Sequence, residues 1–398
     1  MSRENQLAAT DLLRHLQGRR EDLKRLLQRM TTAESPSNVP SAQEGIREIV
    51  ATELQKLDYR VRRIPGRTSG GMLYARPFNR RRHRPAQLLL GHFDTVWPLG
   101  TLADMPFEAD DDTVRGPGVY DMKGGVAMAL LALDALRRFG AEPSVEPHVF
   151  LNSDEEIGSR ESRRYIEGLA PCMDRVLVLE PSLGPAGLLK TARKAIGRFT
   201  VDVRGEAAHA GLDPGAGASA ILELSHVIQA LFAMNDIERG VTVNVGTIDG
   251  GLRPNVVAPT SRAVVDVRVA SQEDAERLET AILGLRPAVA GTSLSITGGF
   301  GRPAMERTPA NRQLWRLACR LGTDLGLQLD EALAGGGSDG NFTSHFTATL
   351  DGLGAVGDGA HARHEHLRVS HTLERAALLA LLLMAPPLST ARRPSAVA

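Results

Sequence analysis

The sequence predicts an α/β architecture: a central, mostly parallel sheet interrupted by a smaller, inserted α+β domain of ferredoxin-like order. Three observations predict it. Short apolar runs, such as Leu88-Leu89-Leu90, His148-Val149-Phe150-Leu151 and Val176-Leu177-Val178-Leu179, alternate with helical periodicities, the pattern of strands buried on both faces and joined by crossover helices. From Gly197 the texture changes to alternating apolar and polar residues, as expected of a sheet covered on one side only. Finally, 398 residues at 42% hydrophobic and 24% charged are too many for one small core and too apolar for disorder, so two domains are expected. The boundaries read as 1–196 and 305–385 for the larger domain, 197–304 for the insertion, and 386–398 for a disordered tail.

Taken in order, the leucines at 12, 13, 16, 23, 26 and 27 predict a helix over about 10–28, and Ile46, Ile49, Val50, Leu54 and Leu57 a second over 45–57. Strands follow near Tyr59 and at 70–75, then at 87–91. Gly124-Gly125 opens an apolar helix, and buried strands end at Asn152 and Glu180. In the insertion, strands at 198–204, 241–248, 262–269 and 294–297 flank helices at 218–234 and 272–285, giving strand-helix-strand-strand-helix-strand, the split βαβ order. The chain then returns through a helix at 311–325, a glycine loop at 334–340, the histidines from His361 onward and a closing helix at 372–383.

Lysine plus arginine and aspartate plus glutamate both number 47, for zero formal net charge, which removes the electrostatic case for nucleic acid or an anionic membrane. The one basic knot, Arg80-Arg81-Arg82-His83-Arg84, has no interleaved aromatics and reads as a solvated loop. Cys172 and Cys319 lie far apart and read as two buried thiols in a reducing compartment. No apolar leader follows Met1, and the run from Ala376 to Pro387 is too short to span a bilayer. A cytoplasmic protein without nucleic-acid or membrane partners is therefore expected. Gly352-Leu353-Gly354-Ala355-Val356-Gly357 matches a dinucleotide fingerprint, but no apolar helix follows it, and context rejects it.

Chemistry-bearing residues collect at the exits of the apolar strands. His92 and Asp94 end one strand, and on extended backbone residues two apart share a face, so a carboxylate can back an imidazole that binds a cation. Asp121 stands ahead of a helix start, Glu155-Glu156 follow the strand ending at Asn152, Glu180 ends another, and His361 lies in the return segment. Carboxylates mixed with imidazoles suit Zn²⁺, with Mn²⁺ or Co²⁺ as substitutes. Two ions fit better than one, since a carboxylate can bridge cations about 3.5–4 Å apart and two divalent charges balance three ligand carboxylates plus a hydroxide.

The motifs Gly91-His92-Phe93-Asp94-Thr95-Val96, Gly118-Val119-Tyr120-Asp121-Met122-Lys123-Gly124-Gly125, Ser153-Asp154-Glu155-Glu156-Ile157-Gly158-Ser159, Leu179-Glu180-Pro181, Ala208-His209-Ala210-Gly211 and Gly359-Ala360-His361 together resemble the M20 group of dinuclear zinc peptidases and amidohydrolases, most closely its carboxypeptidase G2-like members. The resemblance implies that the larger domain is a zinc-peptidase catalytic domain and the insertion a dimerisation (lid) domain. It implies two zinc ions per subunit: His92 and Glu180 on one, Glu156 and His361 on the other, Asp121 bridging. It further implies Asp94 behind His92, Glu155 as general base and acid, a cis peptide after Asp121, and His209 of a homodimer partner as an oxyanion donor.

For substrate grip the resemblance points to Arg268 as the holder of a free carboxylate, with Asn255 and the amides of Gly336 and Gly337 in the same role. A strand-edge ion pair, a turn and a flexible loop are the competing readings of these positions. The implied activity is hydrolysis of the amide next to a terminal carboxylate in short peptides or N-acyl amino acids, glutamate being one candidate product. An N-acyl-amino-acid deacylase and a catalytically inactive metal-binding scaffold are the alternatives. Where the glutamate-releasing members carry lysine eight positions after the Glu180 equivalent, this chain has Leu188, which favours an apolar side chain. His364 and His366 are expected to be solvent-exposed neighbours of the site.

Overall fold

The computed structural model describes residues 9–81 and 83–388. Residues 1–8, Arg82 of the basic knot and residues 389–398 of the expected tail lie outside the described residues. In chain order the principal strands are β1 (Tyr59–Ile64), β2 (Met72–Pro77), β3 (Ala86–His92), β4 (Glu146–Asn152), β5 (Met173–Val178), β6 (Ala195–Arg204), β7 (Thr242–Gly250), β8 (Thr260–Val269), β9 (Ser293–Arg302) and β10 (Ala348–Leu350). The helices are α1 (Ala9–Gln17), α2 (Arg20–Thr32), α3 (Glu44–Lys56), α4 (Gly124–Arg138), α5 (Arg163–Leu169), α6 (Ala220–Phe232), α7 (Gln272–Leu283), α8 (Pro309–Asp324) and α9 (Val369–Met384). Two compact units result: one from the described parts of Met1–Thr191, Arg307–Leu333 and Ser338–Ala398, the other from Ala192–Glu306 with Ala334–Gly337.

The first unit is built on a six-stranded sheet of order β1-β2-β4-β3-β5-β10. β3 runs parallel to β4 and β5, and β10 to β5, while β1 and β2 add an antiparallel edge. β3 and β4 are buried along their whole length, which is why their sequences are continuous apolar runs. Leu89, Leu151 and Leu177 pack on one face with α4 and α9 side chains, and Leu88, Leu90, Phe150 and Val178 pack on the other with Ile166 of α5. α4 approaches the end of β5 so closely that a Cβ on Gly125 would sit 1.9 Å from the Leu179 carbonyl oxygen. Only glycine fits there, and this contact brings the turn ahead of α4 beside the exit of β5.

A small antiparallel sheet completes the positioning of the site. His366 pairs with Arg115 and Gly357 with Leu367, so the loop carrying His361 is zipped against the segment that leads into Asp121. These short strands carry too few residues for a period to show in sequence.

The second unit has the order β6-α6-β7-β8-α7-β9 and an antiparallel sheet ordered β7-β8-β6-β9, the ferredoxin-like arrangement. Phe199, Val201, Val203, Val265 and Val267 form its core with Leu224, Val227 and Leu231 of α6 and Leu278 and Ile282 of α7. Both helices start on serine caps, Ser219 accepting from the Leu222 amide at 3.2 Å and Ser271 from the Asp274 amide at 3.1 Å.

Several expectations need correction. The single helix over 10–28 is two helices, broken at Gly18-Arg19, where Arg19 turns its guanidinium to Asp22 and Asp134. Cys172 is exposed and Cys319 only half-buried; the first ends the turn between α5 and β5, and the second lies on α8 next to its buried positions Ala318 and Gly322. Pro386 and Leu388 are held rather than loose: buried Arg175 donates to the Pro386 carbonyl at 2.9 Å, and Asp174 accepts from the Leu388 amide at 3.2 Å. No helix among the described residues is long and apolar enough to cross a membrane.

Candidate metal centre

Parallel strands deliver their last residues to one edge of the sheet, and the crevice outside the carboxyl ends is where ligands of such sheets collect. His92 is the final residue of β3 and lies in register with Asn152 at the end of β4. Glu155 and Glu156 follow Asn152 in a single tight turn, Glu155–Ile157. Glu180 stands two residues past β5. Asp121 sits in the turn Val119–Lys123 before α4, and its bond to Met122 is cis. His361 comes from the return loop, at φ 60, one of three non-glycine positive-φ positions among the described residues.

The structure brings five of these side chains into two groups that share one member. His92, Asp121 and Glu180 form the first, and Asp121, Glu156 and His361 the second, with candidate ligand atoms in each all within 4.8 Å of one another. Asp121 points its two oxygens different ways: Oδ1 lies 3.4 Å from His92 Nε2, and Oδ2 lies 3.4 Å from His361 Nε2. Glu180 Oε1 is 3.4 Å from His92 Nε2, and Glu156 Oε2 is 3.1 Å from His361 Nε2. The groups differ in exposure, the His92 side chain being 1% accessible and that of His361 52%.

Whether these residues fit a metal pair can be judged from what they lack. His92 Nε2, Asp121 Oδ1 and Glu156 Oε1 are buried without a hydrogen-bond partner, a state that costs about 1–3 kcal/mol per group unless something else satisfies it. The electrostatics agree. Burial followed by the Asp121 charge pushes Glu156 up to about 7, and hydrogen bonding with Asp121 and Glu156 pushes His361 up to about 11. Burial disfavours charge on His92, yet the carboxylates of Asp121, Asp94 and Glu180 outweigh it and raise the imidazole well above its ordinary value. Three carboxylates crowded round two imidazoles thus draw in positive charge, as protons when nothing else supplies it. Nitrogen and oxygen donors in this arrangement fit two divalent cations.

Asp94 has two sets of contacts. His92 Nδ1 is 3.0 Å from the Asp94 backbone carbonyl and 3.4 Å from its carboxylate, so both oxygens stand behind the ring. The carboxylate also accepts from Ser37 Oγ at 2.6 Å and from the amides of Glu155 and Glu156 at 3.3 and 3.2 Å. It thereby ties the two-glutamate turn to the His92 loop. Glu155 is buried and belongs to neither donor group.

Two further residues complete the surroundings of the site: Lys190, one of the cations near position 188 in the sequence, and Glu365, which the sequence reading missed. Lys190, 6% exposed, puts Nζ 3.9 Å from Glu180 Oε2, whereas Leu188 is half-buried in a hairpin opposite Leu183. The cation beside Glu180 is therefore two residues further along the chain. Glu365, four residues after His361, is buried and accepts hydrogen bonds around the Asp121 turn; that spacing was its only signal. Of its neighbours, His364 is exposed as expected, but His366 is half-buried because it lies in a strand.

The remaining candidates belong to the second unit. His209 is exposed, and its Nδ1 accepts from the amides of Gly211 and Leu212, both at 3.1 Å, which leaves the proton on Nε2. Asn255 is exposed and adjoins this turn, its carbonyl accepting from the Ala210 amide at 3.0 Å. Arg268 donates to Asp266 at 2.9 Å and to the Gly335 carbonyl at 3.1 Å, so an ion pair is part of its environment. Arg193 donates to the carbonyls of Gly336 and Gly337 at 3.0 and 3.2 Å. The glycine loop is not uniformly bare, because the Ser338 amide is taken by Asn341 Oδ1 at 2.8 Å.

Comparison with known proteins agrees with this architecture. Residues 88–385 match the model of Peptidase family M20/M25/M40. Carboxypeptidase G2 of Pseudomonas sp. (strain RS-16) is 30% identical over 304 residues, covering 75% of this chain and 73% of that protein. Among solved structures, aminopeptidase PepT from Bacillus cereus superposes with a TM-score of 0.76 at 19% identity, over 92% of this chain and 98% of that one. The YXEP protein of Bacillus subtilis, described as a dinuclear metal-binding peptidase from the M20 family, gives 0.68 at 14% identity over 93% of this chain and 98% of its own. The chain therefore belongs to the M20 peptidase family and is a metallopeptidase of that family.

Proposed function

We propose that the protein is a two-metal carboxypeptidase that cuts the amide bond beside a free terminal carboxylate in short peptides or N-acyl amino acids. The observation that carries this reading is Asp121, whose two oxygens face two different histidines, each with its own glutamate. His92 and Glu180 would hold one cation, Glu156 and His361 the other, and Asp121 both; zinc suits this donor set. Bound there, a metal pair supplies Lewis acidity toward the scissile carbonyl and a water activated near neutral pH.

The chain's own residues do the rest. Glu155, beside a ligand but outside both donor groups, takes the proton of the attacking water on its carboxylate and passes it to the leaving amine nitrogen. Asp94 keeps that turn in place through the Glu155 and Glu156 amides. His209 of a partner subunit, with its proton on Nε2, is suited to donate to a developing oxyanion. Arg268, with two of its five donors engaged by Asp266 and Gly335, is assigned the substrate carboxylate together with Asn255 and the amides of Gly336 and Gly337. Support for the carboxypeptidase reading over other amide hydrolysis comes from the resemblance to carboxypeptidase G2.

A homodimer is part of the proposal. β7 is an edge strand of its sheet, and Ile221, Leu222 and Phe232 on α6, with Ile248 on β7 and Leu252 after it, are exposed. An uncovered edge flanked by apolar side chains favours pairing with a second copy. The deciding assay hydrolyses N-acyl amino acids with free and with amidated carboxylates, using metal-loaded protein. Preference for the free acid supports the proposal, and cleavage of the amides alone would overturn it.

A further inference from the structure

We propose that Glu365 is the positioning residue of the metal centre, fixing the Asp121 turn so that the two donor groups meet at one carboxylate. The inference rests on the two-metal reading above. Glu365 is 1% exposed, and its carboxylate accepts four hydrogen bonds. Oε1 takes the amides of Tyr120 at 2.9 Å and Asp121 at 3.0 Å, and Oε2 takes the Gly118 amide at 2.9 Å and Trp97 Nε1 at 2.8 Å.

Those four donors come from two different segments, and Glu365 itself lies on a third. Gly118, Tyr120 and Asp121 form the turn that presents the shared carboxylate. Trp97 follows the loop of His92 and Asp94. Glu365 lies four residues after His361, in a loop already zipped to Arg115 through His366. One buried carboxylate thus joins all three loops, including the backbone amide of the shared residue itself. Hydrogen bonds from backbone amides to an ionised acceptor are among the stronger ones, and partners of this kind orient ligands and tune affinity. Asn or Gln could not replace it: a side-chain amide turns one of its two ends into a donor, which would face an N–H from either side.

The test uses the full-length protein loaded with Zn²⁺ or Co²⁺. Metal affinity is read by competition with a chromophoric chelator, coordination by the visible spectrum of the Co²⁺ form, and turnover as separate kcat and KM. For Glu365→Gln the expected result is at least one ion held about 10- to 100-fold more weakly, a changed Co²⁺ spectrum, and a fall in kcat with little change in KM. Affinity and spectrum matching those of the unaltered protein would overturn the proposal. Should Glu365→Gln fail to fold, Trp97→Phe removes only the Oε2 to Nε1 bond; affinity loosened by about threefold or more supports the role, and unchanged affinity sinks it. The unaltered protein separates the two ideas. If it binds no metal, the two-metal reading fails and takes this inference with it; if it binds two ions and Glu365→Gln binds them as tightly, only the role of Glu365 is lost.

Discussion

The two halves of the candidate metal centre are built from the same chemistry and differ in burial. His92 closes a strand buried over its whole length, with its ring held from behind by a main-chain carbonyl. His361 stands on a loop, in left-handed backbone, with half of its side chain open to solvent. The sheet buries the first half, and the return loop leaves the second accessible. We propose a division of labour from this difference: the pocket whose donors are pre-oriented and dry would retain its ion, and the open pocket would be where ion, water and substrate exchange.

The largest effect should come from the residue common to both halves. Asp121→Ala should empty both pockets and lower kcat/KM by at least about a thousandfold, the several kcal/mol a metal site supplies; metal analysis beside a hydrolysis assay checks it. Glu155→Gln should leave both ions in place and lower kcat by about 10²- to 10⁴-fold, the range of a lost general base. A variant that lost metal instead would make Glu155 a ligand and blur the two-pocket division.

The halves are then separated directly. His361→Ala should leave close to one ion per chain, retained in the buried pocket, and limited chelator should remove one ion from the unaltered protein faster than the other. Equal release rates would break the comparison.

The smallest effect lies away from both pockets. Half-buried Asp112 accepts from the Ser370 amide at 2.8 Å, Arg368 at 2.9 Å and Arg20 at 2.9 Å, tying α2 to the start of α9. Burial works against its ionisation, but the Ser370, Arg368 and Arg20 hydrogen bonds prevail and hold its carboxyl below the usual range. With the folded pKa depressed, this contribution is complete above about pH 4, the unfolded value, and fades as pH falls through the lower folded one. Asp112→Asn should cost about 1–2 kcal/mol in denaturant unfolding while leaving metal content unchanged.

What the sequence revealed follows the same contrast. Donors at strand exits could be picked out because a strand long enough to be buried on both sides announces itself as an apolar run with a polar end, as at Leu88–His92 and Val176–Glu180. The inserted domain was equally visible, since alternation over ten-residue strands is a strong signal. What short or non-local structure decides was not visible. Glu365 reads as one more charge among histidines until the chain folds its four donors round it. Lys190 stands out in the sequence only as one of several cations near position 188, and the hairpin at Leu183–Leu188 decides that it lies beside Glu180. Asp94 serves the glutamate turn as well as the histidine ring, because Ser37 and the Glu155 and Glu156 amides share the carboxylate that lies 3.4 Å from His92 Nδ1.

The most direct measurement is the number of metal ions per chain, taken by elemental mass analysis on the unaltered protein and on Asp121→Ala prepared in parallel. The account predicts close to two for the former and close to none for the latter. Fewer than one ion in well-loaded unaltered protein, or two ions retained by Asp121→Ala, would contradict it.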